Sequence, residues 1–135
     1  MTQEDKELLI KDLCTRLPYK VKVRYSSYKE FITCTLHSIK PTHNIVDLWS
    51  KDACFNSVYI SKIKPYLFPL SSMTEEQKYE YDELIHSNNI KAIEGVITSA
   101  DCSTAEIDWF NKNNFDYRGL IPKDLAIDAT GKNIY

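Results

Sequence analysis

A cysteine at a helix start, with a histidine to deprotonate it, makes a nucleophilic site, and Asp101-Cys102-Ser103 offers the first half of one. The base would have to be His37, His43 or His86, and no spacing ties any of them to Cys102. A simpler reading makes Ser103 a helix cap and Cys102 a small apolar contact. The four cysteines, Cys14, Cys34, Cys54 and Cys102, contain no CxxC pair, and the histidines show neither HxxxH nor HExxH spacing. No zinc site is expected, and four reduced, mostly buried thiols are. The only glycines, Gly95, Gly119 and Gly131, form neither GxGxxG nor GxxxxGK[ST], and there is no GxSxG elbow or kinase signature. The expectation is a protein that is not an enzyme and needs no cofactor.

Cations and aromatics point elsewhere. The net charge is −2, from 17 basic and 19 acidic residues, which argues against a dedicated nucleic-acid binder. The charge is unevenly spread. Residues 20–65 hold eight cations against three acids, a surplus of five positive charges, whereas residues 74–101 hold seven acids against two lysines. Nine tyrosines stand out, several interleaved with the cations. The candidate binding face is Lys20, Lys22, Arg24, Tyr25, Tyr28, Tyr59, Lys62 and Lys64, with Arg118 as a docking side chain. Aromatics beside cations on a small barrel can stack bases and hold phosphates. They can equally form a protein interface, or simply edge the core with their hydroxyls in water.

The elements that position these residues are readable from period and punctuation. Residues 2–17 read as a helix, with Thr2 and Asp5 as a capping box, an apolar stripe at Leu9, Leu13 and Leu17, and Pro18 as the stop. The period then drops to two. Val21 to Tyr25 alternates apolar with cationic residues, and Phe31 to Ile39 sets Ile32, Cys34 and Leu36 against Thr33, Thr35 and His37. Ile45 to Trp49 and Val58 to Ile63 give two more strands, with a turn at Asn56-Ser57. Four short strands at this spacing suggest a strongly bent antiparallel meander or small open barrel. In Lys64 to Leu70, Pro65 and Pro69 argue against a central strand and for an extended segment pinned by Tyr66, Leu67 and Phe68. Thr74 with Gln77 caps a second helix ending at Asn88-Asn89, residues 90–100 read as either helix or edge strand, and Ser103 with Glu106 caps a third helix. The tail from Phe115 onward is apolar enough to dock, with Gly119 at a positive φ and Arg118 paired to Asp116 or to the acidic helix.

Three stretches carry a family resemblance. Leu8 to Tyr19, with its Leu13-Cys14-Thr15-Arg16-Leu17-Pro18-Tyr19, Ile63 to Thr74, and Trp109-Phe110-Asn111-Lys112 with Phe115 to Ile121 together resemble the signatures of a family of short uncharacterised proteins of gut anaerobic bacteria, their prophages and phages. The resemblance brackets nearly the whole chain except residues 20–60. It implies a small cytoplasmic protein of mobile-element origin and transfers no activity and no site residue.

The combined expectation is one α+β domain over residues 1–135: a helix over 1–17, a four- to five-stranded antiparallel sheet or open barrel over 18–70, and a mainly helical part over 71–135 with two to three helices and a docked tail. The longest run without a charged residue, Pro65 to Thr74, is far short of the ~18–20 apolar residues that span a bilayer, and the acidic N-terminus is no secretory signal. The expected function is binding of a protein partner, as an accessory factor acting on a host protein. The alternatives are nucleotide or nucleic-acid binding through the basic, Tyr-rich β face, and a cysteine-dependent enzyme built on Cys102. Oligomeric state and partner identity stay open, as does whether the acidic helix neutralises the basic face.

Overall fold

Helix α1 (Gln3–Arg16) starts where the sequence says it should. Thr2 Oγ1 accepts from Asp5 N at 3.0 Å, and the Asp5 carboxylate accepts from Thr2 N at 3.1 Å. The computed structural model describes residues 1–88 and 104–135. The expectations for residues 90–100, and for Cys102 and the Ser103 cap, fall outside the described residues. Leu9 and Leu13 of α1 are fully buried and lie against the sheet side chains.

Five strands follow: β1 (Lys22–Ser26), β2 (Phe31–Lys40), β3 (Ile45–Trp49), β4 (Cys54–Tyr59) and β5 (Ile63–Pro69). All pair antiparallel, in the order β4-β3-β2-β1-β5. The alternation read from the sequence sets the faces. Val23, Cys34, Leu36, Val46, Leu48, Val58, Ile63 and Leu67 turn inward and join Leu9 and Leu13 in one core cluster.

The sheet must curl. Laid flat, β4 and β5 would stand four strand spacings apart, about 19 Å. Tyr59 sits opposite Ile45, itself opposite Lys40, while Ile63 sits opposite Tyr25, itself opposite Ile32. Those two levels on β2 differ by about 26 Å. Yet only a 3-10 turn, Ile60–Lys62, joins Tyr59 to Ile63, and even extended it reaches at most ~14 Å. A register shift between Leu36 and Ser38 bends β2, and another between Val46 and Leu48 bends the β3–β4 pair. The result is a curled α+β fold whose sheet does not close into a barrel.

Two expectations need correction. The turn foreseen at Asn56-Ser57 is a bulge within β4: Ser57 has φ +56° and its N–H donates to Asp47 Oδ1 at 2.8 Å. The strand foreseen over 58–63 is therefore the end of β4, the 3-10 turn and the first residue of β5. The second correction is β5 itself, a central strand despite its prolines. Leu36 N donates to Val21 O, so the peptide groups of odd β1 residues face β2 and those of Lys22 and Arg24 face β5. Arg24 pairs with Lys64, which turns the ring nitrogen of its neighbour Pro65 away from β1. Proline thus removes no rung of the β1–β5 ladder.

Helix α2 (Glu75–Asn88) begins at the foreseen Thr74–Gln77 box, with Thr74 N to Gln77 Oε1 at 2.9 Å and Gln77 N to Thr74 Oγ1 at 3.2 Å. It packs on α3 (Thr104–Lys112), where the Tyr81 ring meets Trp109 and Phe110 at 5.4 and 5.3 Å. The tail docks as expected. Its two-residue strands β6 (Phe115–Asp116) and β7 (Ile127–Asp128) pair parallel with β5, making the sheet mixed. Phe68 N donates to Asn114 O while Leu67 O accepts from Ala129 N. The two groups belong to one peptide unit, so β6 and β7 lie on opposite edges of β5. Gly119 adopts φ +76°, as expected. No described helix is long and apolar enough to cross a membrane.

Candidate functional site

The outward positions of the curled sheet build the site. Lys22 pairs with Thr35, Arg24 with Thr33, and Thr35 with Trp49, so these side chains share the outer face opposite the core. Lys22 Nζ donates to Thr35 Oγ1 at 3.3 Å. His37 and Trp49 stack with ring centroids 3.7 Å apart and planes 15° apart, and Trp49 is 50% exposed. The end of α1 supplies one wall. Pro18 breaks the helix into a 3-10 turn, Leu17–Tyr19, and Lys20 follows in a left-handed conformation, φ +56°. The β3–β4 connection supplies the opposite wall with Ser50 and Lys51. Together they enclose a groove of about 630 Å³ whose charged lining among the described residues is Lys20, Lys22 and Lys51, with no carboxylate among them.

The groove's neighbours on that face are partly neutralised. The Asp47 carboxylate turns to the bulge, accepting from Ser38 Oγ at 2.7 Å and Ser57 N at 2.8 Å. The hydrogen bond from Ser38, then that from Ser57, holds its carboxyl below the usual range. Lys64 Nζ is held by Asp124 at 2.9 Å, and this contact keeps the Asp124 carboxyl ionised below its usual range. Arg24 lies over the Phe31 ring at 4.2 Å, and Phe31 is 66% exposed. No ion pair joins the strand lysines to the carboxylates of α2 among the described residues.

The nine residues of the expected binding face therefore separate. Lys20 and Lys22 line the groove, with Arg24 beside it and Lys64 engaged by Asp124. Tyr25, Tyr28, Tyr59 and Lys62 border a different hollow of about 300 Å³, with Ser27, Asn56 and Ser57. Tyr25 is half-buried there against Phe55, centroids 5.1 Å apart, while Tyr28 is 98% exposed.

Arg118 belongs to neither region and pairs with neither expected carboxylate. Its Nε sits 3.3 Å from Asp12 Oδ1 and its Nη2 donates to Tyr117 Oη at 3.0 Å. Asp116 instead accepts from the N–H groups of Leu120 and Ile121. Asp12 and Arg16 are both fully buried, and Arg16 bonds Asp12 through Nε at 2.7 Å and Nη2 at 3.1 Å, with Phe115 O at 2.6 Å from Nη2. Arg118 thus fastens the tail to α1.

Sequence reasoning missed Thr33, Thr35, His37, Trp49 and Lys51. The signal existed: the alternation that buries Cys34, Leu36, Val46 and Leu48 puts Thr33, Thr35, His37 and Trp49 on the side of Lys22. The thiols also differ from expectation. Cys34 is buried, and burial pushes its thiol up, but Cys14 on the wet side of α1 and Cys54 on edge strand β4 are exposed; all three are free. Among the described residues, no three His, Cys, Asp or Glu side chains gather as a metal site. No protein-family model matches the chain, and neither a curated protein nor a solved structure matches it.

Proposed function

We propose that this protein is a non-enzymatic binding module that takes a phosphate-bearing ligand, a nucleotide or nucleic acid, in the groove between α1 and the β3–β4 connection. One observation carries the reading. Among the described residues, three lysines converge without a carboxylate on a hydroxyl-bearing floor beside an exposed stacked ring pair. Lysine ammoniums attract phosphate as point charges, threonine hydroxyls donate to its oxygens, and the indole offers a π face to a base. The test is fluorescence anisotropy with labelled mononucleotides and oligonucleotides at ~50 mM and ~200 mM salt. Three phosphate contacts on a single strand predict a log–log slope near −2, about a 20-fold loss over that range. Lys22→Glu should abolish most of the binding. Affinity absent at ~50 mM salt, or unchanged by salt, overturns the reading.

A second reading, a protein interface, rests on the other hollow. Tyr28 is 98% and Tyr59 66% exposed beside Ser27, Asn56 and Ser57, a Tyr/Ser/Asn mixture suited to adaptable protein contacts. Its test is cross-linked capture of a defined partner that is lost in Tyr28→Ser with Tyr59→Ser. Capture unaffected by both substitutions removes this surface from consideration.

A further inference from the structure

Resting on the groove reading, we infer that the ligand is a single strand of nucleic acid several nucleotides long, which spans two base platforms on one sheet face: Trp49 with His37, and Phe31 with Arg24. The outer face of β2 joins the two. Phe31, Thr33, Thr35 and His37 are successive outward residues of this strand, and Trp49 pairs with Thr35 on the adjacent strand. Phe31 and Trp49 therefore stand roughly 14 Å apart along the face. Between them lie Thr33 and Thr35, and Lys22 flanks Thr35 from β1, level with Trp49 on the other side of β2. The arrangement is two aromatics joined by hydroxyls, with a cation alongside.

Each platform pairs a ring with a nitrogen-bearing partner. Trp49 stacks on His37 at 3.7 Å, and Phe31 lies under Arg24 at 4.2 Å. Both rings are at least half exposed in a sheet face that no described helix covers, so their π faces are open to a ligand. A mononucleotide reaches one platform only. A duplex keeps its bases paired and stacked, so it cannot offer their faces to both rings. An acidic peptide would satisfy the lysines and leave the rings unused. A single strand uses the lysines for its phosphates and both rings for its bases.

The test uses the full chain, with labelled single-stranded oligodeoxythymidylates of roughly 2 to 12 nucleotides, a thymidine mononucleotide, a duplex of matched length and polyglutamate. Affinity should climb with length to a plateau. Phe31→Leu and Trp49→Leu should each weaken the longest strand by about 5- to 150-fold, and Trp49→Phe should restore most of the loss. Phe31→Leu should weaken the longest strand far more than the mononucleotide, and thermal melting of each variant confirms that the fold is retained. If mononucleotide and long strand bind equally and Phe31→Leu is neutral, this inference fails while the groove reading stands. Duplex or polyglutamate binding as tight as the single strand likewise overturns it. If nothing binds at ~50 mM salt, the groove reading fails as well.

Discussion

Replacing Asp12 by Asn removes one negative charge from the interior and almost no volume. Asp12 and Arg16 are each fully buried, and Arg118 is 12% exposed. The carboxylate takes two hydrogen bonds from Arg16 and a 3.3 Å ion-pair contact from Arg118, so one anion balances two guanidiniums. Breaking a buried pair costs about 3–5 kcal/mol, because the partner stays buried and uncompensated. The whole chain is worth about 7–20 kcal/mol at this length. An unfolding entropy near 0.28 kcal/mol/K for 135 residues turns the loss into a fall in Tm of about 10–18 °C. Urea titration followed by circular dichroism should show the lower midpoint at unchanged slope. The triple change Asp12→Leu, Arg16→Met and Arg118→Met should recover part of the loss, because apolar replacements of similar bulk leave no guanidinium stranded there, while Phe115 O still loses its Arg16 donor. A loss under about 1 kcal/mol in Asp12→Asn would refute the reasoning, since it would mean water or relaxation already serves the arginines.

Three further outcomes follow from separate places in the fold. The Tyr135 hydroxyl accepts from Lys22 N at 3.0 Å and donates to Tyr66 O at 2.7 Å, bridging β1 and β5 where their ladder ends, and burial pushes its pKa up to about 12. A phenol raised above its unfolded value of ~10 contributes stability that is full below pH 10 and lost as pH rises through 12. Wild type should therefore lose stability relative to Tyr135→Phe across that window in urea melts, and parallel curves would remove the bridge from the account. At neutral pH the same variant should cost about 1–2 kcal/mol. Lys20→Gly relieves a left-handed lysine, so thermal stability should stay level or rise by up to about 1 kcal/mol, while the salt slope of oligonucleotide binding shrinks by about 0.7. Gly119 has φ +76° and open space where a Cβ would stand, so Gly119→Ala should cost about 1 kcal/mol from backbone strain alone; no change in the urea midpoint contradicts this.

The period-two alternation made the sheet readable. Residues whose faces depend only on parity, such as Val23, Cys34 and Leu48, came out of the sequence directly. Both visible capping boxes did too, because a cap is written within four residues. What the sequence hid was settled by long-range register. Pro65 argued against a central strand, and only its position beside the Arg24–Lys64 rung shows that its missing N–H faces away from β1. Arg118 had carboxylates near it in sequence and took one 106 positions earlier. The candidate face does not lie on one side for the same reason: Tyr25 and Lys22 are three residues apart, hence of opposite parity, and a curled sheet sends opposite parities to opposite sides.

The charge argument turns on the same distinction between chain and surface. A net charge of −2 counts against polyanion binding only if charges act as a sum. They do not at physiological salt, where exposed charges farther apart than about 8 Å are largely screened. What a phosphate meets is the local set, here Lys20, Lys22 and Lys51 with no acid among the described lining residues. The acidic segment could have cancelled that set by packing across it. Instead α2 spends its apolar side on α3 through Tyr81, and Glu75 pairs with Lys78 of its own helix at 3.3 Å. The acids near that face are committed elsewhere: Asp47 of β3 to the β4 bulge and Asp124 of the tail to Lys64. Those commitments leave the groove basic, and they make a sharp demand. Removing Asp124 should free Lys64 and tighten oligonucleotide binding, whereas a protein that responds only to its total charge would gain the same from removing Glu75. Asp124→Asn and Glu75→Gln change the total equally, so a difference between them in binding isotherms separates the local field from the sum, and equal gains would end the argument for a built site.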